Sequence, residues 1–97
     1  MPASFQLEIL TPDQTFYAGE VTSIVAPGTD GFFGVLAHHA SMIAKSNGGK
    51  LKIREMSNQE RFFRVGAGIV EILPARFRDT KTDRVVILTR RAETLSA

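Results

Sequence analysis

Apolar and polar residues alternate along most of this chain, and the alternation sets its element pattern. Residues 4 to 10, S-F-Q-L-E-I-L, put Phe5, Leu7 and Ile9 on one face and Gln6 and Glu8 on the other, which predicts a half-buried strand. Thr11-Pro12-Asp13 ends it, because proline cannot donate to a ladder and aspartate bonds its own backbone in a turn. T-F-Y-A then leads to Gly19, and E-V-T-S-I-V-A predicts a second strand suited to β-branched side chains. Further on, I-A-K-S, Asn47-Gly48-Gly49 and K-L-K-I-R-E-M predict a hairpin with Leu51 and Ile53 inside and Lys50, Lys52 and Arg54 outside. Ser57-Asn58-Gln59 turns the chain into E-R-F-F-R-V-G-A-G-I-V-E-I-L, where Phe63, Val65 and Ala67 share a face. Gly66 and Gly68 leave gaps on the other face for a close approach. Pro74 closes that run, and residues 75 to 83 read as a loop. R-V-V-I-L-T-R is apolar on both faces and predicts a covered strand. Only Arg91 to Ala97 could begin a helix, and it is too short to hold one alone. Turn signals recur at roughly 8–12-residue spacing with no helical period, so the pattern predicts an all-β fold, an antiparallel β-sandwich or flattened barrel.

The stretch from Ala26 to Ile43, A-P-G-T-D-G-F-F-G-V-L-A-H-H-A-S-M-I, organises the rest. Pro27-Gly28 and Asp30-Gly31 are turn signals, and Phe32 and Phe33 stand side by side between the glycines. Strand neighbours point to opposite faces, so only one of the two rings can enter a given core. The other is a contact point for a partner or a half-covered surface ring.

Ninety-seven residues, 43% hydrophobic, fit a single domain with an ordinary core. No run approaches the ~18 apolar residues of a spanning helix, and M-P-A-S-F-Q has no basic segment followed by an apolar one. The expectation is a chain that remains where it is made. The absence of cysteine excludes a disulfide framework and thiolate metal sites. Net charge is +2 but uneven: residues 1 to 44 hold no Lys or Arg, while residues 45 to 97 hold all 12 against six acidic residues. That split suits distinct partners on distinct faces, an anionic ligand on the basic half, or two layers whose solvated surfaces differ in sign.

Catalytic chemistry finds little to stand on. His38 and His39 point apart in an extended chain and lack a nearby Glu or Cys to complete a metal set. Ser41 lacks an elbow motif and an orienting carboxylate. G-T-D-G-F-F-G carries no Gly-Lys-Ser/Thr and runs into strand-like sequence, so it is no phosphate loop. No cofactor or metal is expected. One binding alternative remains, single-stranded nucleic acid on Phe62, Phe63 and Phe77 among Arg61, Arg64, Arg76 and Arg78. Phe63 reads more economically as core, so no nucleic acid is the expectation.

Three segments together resemble the ε-subunit family of the rotary ATP synthase, whose mitochondrial counterpart is called δ. They are F-Q-L-E-I-L-T-P-D-Q-T-F-Y-A-G-E-V, P-G-T-D-G-F-F-G-V-L-x-x-H-A and V-G-x-G-I-V-E-I, in family order over residues 5 to about 73, with R-V-V-I-L-T-R-R-A-E resembling the last strand. The resemblance implies a non-catalytic rotor-stalk subunit, a sandwich of about ten strands in two sheets over residues 1–92 with a short tail at 93–97. It implies a grip on γ through Thr11, His39, Met42 and Ala44, and a c-ring contact through Thr29, Asp30, Gly31, Phe32 and Phe33. The acidic first half would face c-ring loops that carry arginine. The expected place is the cytoplasmic face of a bacterial plasma membrane, ahead of a thylakoid, by way of the complex. Three departures stand out: Ser41 where the family has Pro, Ala67 for one of two adjacent glycines, and a longer loop around Arg76 to Asp83. The chain stops at Thr94-Leu95-Ser96-Ala97, where the family's C-terminal helical hairpin would start, so neither braking nor contact with the α/β head is expected of it.

Overall fold

The alternating runs become strands in the computed structural model, which describes residues 3–75 and 82–95, but E-R-F-F-R-V-G-A-G-I-V-E-I-L is divided between two strands at Gly66-Ala67, where Ala67 is exposed rather than sharing a buried face with Phe63 and Val65. The strands are β1 (Phe5–Leu10), β2 (Thr15–Gly28), β3 (Gly31–Leu36), β4 (Met42–Ser46), β5 (Gly49–Glu55), β6 (Glu60–Val65), β7 (Gly68–Leu73), β8 (Arg84–Thr89) and β9 (Ala92–Leu95). They hydrogen-bond in the order β4-β7-β8-β1-β2-β5-β6-β9, with β3 also on β2. The described residues thus carry nine strands rather than about ten.

Two layers arise because β2 serves both. Its first half pairs with β1, and its second half pairs with β3 and β5. The core positions of β2 step from Val21 to Ile24 to Ala26, an interval of three and then two. The odd interval coincides with a register shift between Val21 and Ser23, so one extra residue bends the strand from one layer into the next. Phe5, Leu7 and Ile9 of β1, Val70 and Ile72 of β7 and Val85 and Ile87 of β8 meet Val35, Leu51, Ile53, Phe63 and Val65 from the other layer in one core.

Several details differ from the expectation. The second strand is a single run through Gly19, because β1 pairs with residues on both sides of that glycine. Asn47-Gly48-Gly49 does turn, with φ of +90° and +137° at the two glycines, yet it closes no hairpin. Strand β4 pairs with β7, whereas β5 pairs with β2 and β6. Turn residues permit the chain to reverse without choosing which strand receives the ladder. The sandwich is not wholly antiparallel either: β8 lies between β7, antiparallel, and β1, parallel. A parallel pair needs a long crossover, and the chain between Leu10 and Arg84 provides it. The doubly apolar β8 is accordingly central, with Val85, Val86 and Ile87 all buried.

The end of the described chain is strand, not helix. Ala92–Leu95 pair with Val65–Phe62 on β6. Four residues cannot nucleate a helix, but the edge of β6 offers them a ready ladder. Ala67 has ordinary backbone, since among the described residues the left-handed non-glycine ones are His38 and Asn58, so its replacement of glycine carries no backbone strain. Gly68 is required for space: a Cβ there would lie 1.9 Å from the Leu88 carbonyl oxygen. The expected loop at 76–81 lies outside the described residues.

Candidate docking site at the β2–β3 tip and the β4 edge

Gly28 pairs with Gly31, so β2 and β3 are joined by the two-residue turn Thr29-Asp30. Gly31 has φ +118°, a conformation open to glycine, and this lets the hairpin close so tightly. Beyond it the alternation separates the two rings. Phe32 is 66% exposed, while Phe33 turns inward and packs against the core.

A groove of about 380 Å³ opens between this tip and β4. Thr29, Asp30, Gly31, Phe32 and Phe33 line one side, and His39, Met42 and Ala44 line the other. Met42 and Ala44 face it because they share a register with Ile72 and Val70 of β7, and Met42 also packs on the core. Among the described residues, β3 pairs only with β2 and β4 only with β7, so two strand edges border the groove. His39 keeps Nδ1 2.9 Å from the Ala40 carbonyl oxygen. The neighbouring His38 ring is exposed, and the pair lies in a turn with His38 left-handed rather than in an extended chain. No group of His, Asp or Glu among the described residues could hold a metal.

Eight of the nine positions singled out from the sequence therefore line one groove. Thr11 does not. Its hydroxyl donates to the Gln14 carbonyl at 3.1 Å, and it lines a second groove of about 410 Å³ with Leu10, Pro12, Ile69 and Leu88. Here the sequence reading missed residues. Ile69 stands opposite Leu88, and Leu88 opposite Leu10, across the outward face of β7, β8 and β1. Ile43 is 70% exposed on the outward face of β4. The signal was available in β8, whose apolar residues occupy both faces, and in Ile43, which alternates with Met42 and Ala44. A cluster of exposed aliphatic side chains marks a contact surface.

Several basic residues of β5 and β6 are paired with acids of the same strands. Lys52 and Arg54 reach Glu60 at 3.1 and 2.7 Å, and Arg61 reaches Glu55 at 3.4 Å. The hydrogen bonds from Arg54 and then Lys52 hold the Glu60 carboxyl below the usual carboxylate range. Tyr17 donates to Glu55 at 2.7 Å, and burial, followed by that bond, pushes its phenol up to about 12. Phe63 is 1% exposed, and Phe62 lies under the Lys50 ammonium at 4.6 Å. A base cannot stack on a buried ring, which removes Phe63 from the single-strand reading. Arg76, Phe77 and Arg78 lie outside the described residues.

Comparison with known proteins bears on this geometry. Residues 4–95 match the family model for the ATP synthase, Delta/Epsilon chain, beta-sandwich domain. The ATP synthase epsilon chain of Chlorobium limicola is 38% identical over 69 residues, 71% of this chain and 78% of that one. The epsilon chain of Alkalilimnicola ehrlichii is 30% identical over 94% of this chain and 72% of its own length. Among solved structures, a chain of the Euglena gracilis mitochondrial ATP synthase (OSCP, F1 and c-ring) superposes with a TM-score of 0.81 at 21% identity. The match covers 97% of this chain and 55% of that chain, so the present sequence spans just over half of it. A chain from the Tetrahymena thermophila mitochondrial ATP synthase central stalk and c-ring gives a TM-score of 0.71 at 16% identity, covering 95% of this chain and 67% of that one. At these identities the structural likeness speaks for the fold.

Proposed function

Because the chain belongs to the ATP synthase delta/epsilon family, a non-catalytic component of that membrane-associated complex, we propose that it couples γ to the c-ring in the rotor stalk. The Thr29–Phe33 tip meets the polar loops of the ring, with Phe32 as its apolar anchor and Asp30 as the acid offered to loop arginine. His39, Met42 and Ala44 grip γ from the other wall, and Thr11 extends the grip over the aliphatic face of β7 and β8. The reading places the complex at the cytoplasmic face of a bacterial plasma membrane, in keeping with the bacterial relatives.

One observation carries the reading most. An exposed phenylalanine stands on β3 next to a two-residue turn, beside a groove that also holds Met42 and His39. A joint that transmits torque needs a stiff scaffold and a water-excluding contact, and aromatic and Met side chains supply the second. Two partners turning together can share one corner of such a scaffold. Co-purification tests it: the chain should retain γ, Met42→Asp should release γ, and Phe32→Asp should weaken c-ring retention while γ stays bound. Failure of the unaltered chain to retain γ would overturn the proposal.

These 97 residues are further proposed to couple without acting as a brake. Added to an ε-depleted enzyme, they should restore proton-driven synthesis and leave ATP hydrolysis unslowed. Inhibition relieved by ATP would contradict this.

A further inference from the structure

We infer that Asp83 is a positioning residue for the docking groove, its carboxylate holding the turn that delivers His39 and Met42 to it. The inference rests on the reading of that groove as the γ contact. Asp83 Oδ2 accepts the backbone N–H of His38 at 2.6 Å, and Oδ1 accepts that of Ala75 at 2.8 Å. One side chain thus ties the turn after β3 to the end of β7, and each oxygen takes a different loop.

Two features make the His38 bond matter. His38 has φ +67°, a left-handed conformation that disfavours a side-chain-bearing residue. Such a backbone persists where its surroundings over-determine it, and a charge-assisted bond to its own amide does so here. The anchor is also firm. Asp83 directly precedes central strand β8, and its carbonyl accepts the Gln6 N–H of β1 at 2.9 Å. The side chain is 11% exposed, so water competes poorly for the carboxylate. The His38 ring itself is 83% exposed with Nδ1 3.8 Å from Oδ2. The backbone bond, not the imidazole, is therefore the clamp. From the clamped turn, His39 follows at once into the groove wall and β4 begins at Met42.

Asp83→Ala and Asp83→Asn test this with two readouts. The first is amide exchange at His38 and Ala75 in the free protein, which needs no partner. The second is affinity for purified γ at a temperature where every variant is folded. Asp83→Ala should speed exchange at both amides and weaken γ about tenfold, the equivalent of one charge-assisted hydrogen bond. Asp83→Asn keeps one acceptor oxygen and should lose about threefold, with one of the two amides still protected. Exchange within β5 should stay unchanged in both. Unchanged exchange at His38, or faster exchange with undiminished γ affinity, would overturn the inference. If the unaltered chain fails to bind γ, the docking reading falls and this role falls with it, while the exchange data still decide whether the clamp exists.

Discussion

Phe32 and Phe33 are identical in chemistry and adjacent in sequence, and the pleat gives them opposite fates. Phe32 touches little in the isolated chain, so Phe32→Asp should change stability by no more than about 0.5 kcal/mol. Phe33→Ala removes a ring packed on the core and should cost about 2 kcal/mol, read as a shift in the urea midpoint. That pair of results would separate docking from folding. Gly68→Ala is a stricter case, because the new methyl collides with the backbone of a central strand rather than with a flexible side chain. It should destabilise the fold by about 3 kcal/mol. The sequence showed that one phenylalanine must face outward, but not which, since the phase of β3 is set by its partner β2. The close approach at Gly68 was legible as a gap, whereas the Asp83 clamp left no trace, because its partners are backbone amides, which carry no side-chain signal, and that of His38 is 45 residues away. Tyr17 adds a pH dependence. Its phenol titrates near 12 when folded against about 10 unfolded, so the folded state holds the proton more tightly. Its contribution is complete below pH 10 and is lost as pH rises through 12. Thermal midpoints should fall over that window, and Tyr17→Phe should flatten the part of the fall that belongs to Tyr17.

Strand existence was legible element by element; strand partnership was not. The alternation of β1, β5 and β6 states which face is buried, and Asn58 in the left-handed region closes the β5–β6 hairpin as its turn residues indicate. Gly48 and Gly49 are equally good turn residues, yet the strands they join lie in different ladders. Local sequence encodes a reversal in φ and ψ, while the choice of partner depends on burying Leu51 and Ile53 against β2 and β6, and Met42 and Ala44 against β7. The chain end shows the same limit, as β9 exists only because the edge of β6 is there to pair with it. Removal of residues 92–97 should speed amide exchange in Phe62–Val65 and lower the unfolding midpoint, with β1 exchange affected least. Unaltered protection in β6 would show that β9 contributes nothing to that edge.

Across the whole molecule, the parallel pairing of β1 with β8 brings together residues near the two ends of the described chain. Loop closure on that scale slows folding, so refolding should fall in the millisecond-to-second range and be sensitive to core substitutions in β8 such as Val85→Ala. Stopped-flow fluorescence of Tyr17, packed on Phe63, would read it. The uneven charge also acquires meaning at this scale. The basic residues of β5 and β6 are spent largely on Glu55 and Glu60, which leaves the tip and the aliphatic face of β7 and β8 as the surfaces offered outward. The sequence by itself determined the all-β class, the inward residues of strands such as β1 and β5 and the turn positions, because side-chain alternation and backbone preference are local properties. Only the tertiary structure decided that the tip and β4 enclose a common groove, that Thr11 belongs to another, and that β8 joins β1 in parallel. Those facts depend on which layers meet, and that is settled by the packing of residues distant in the chain.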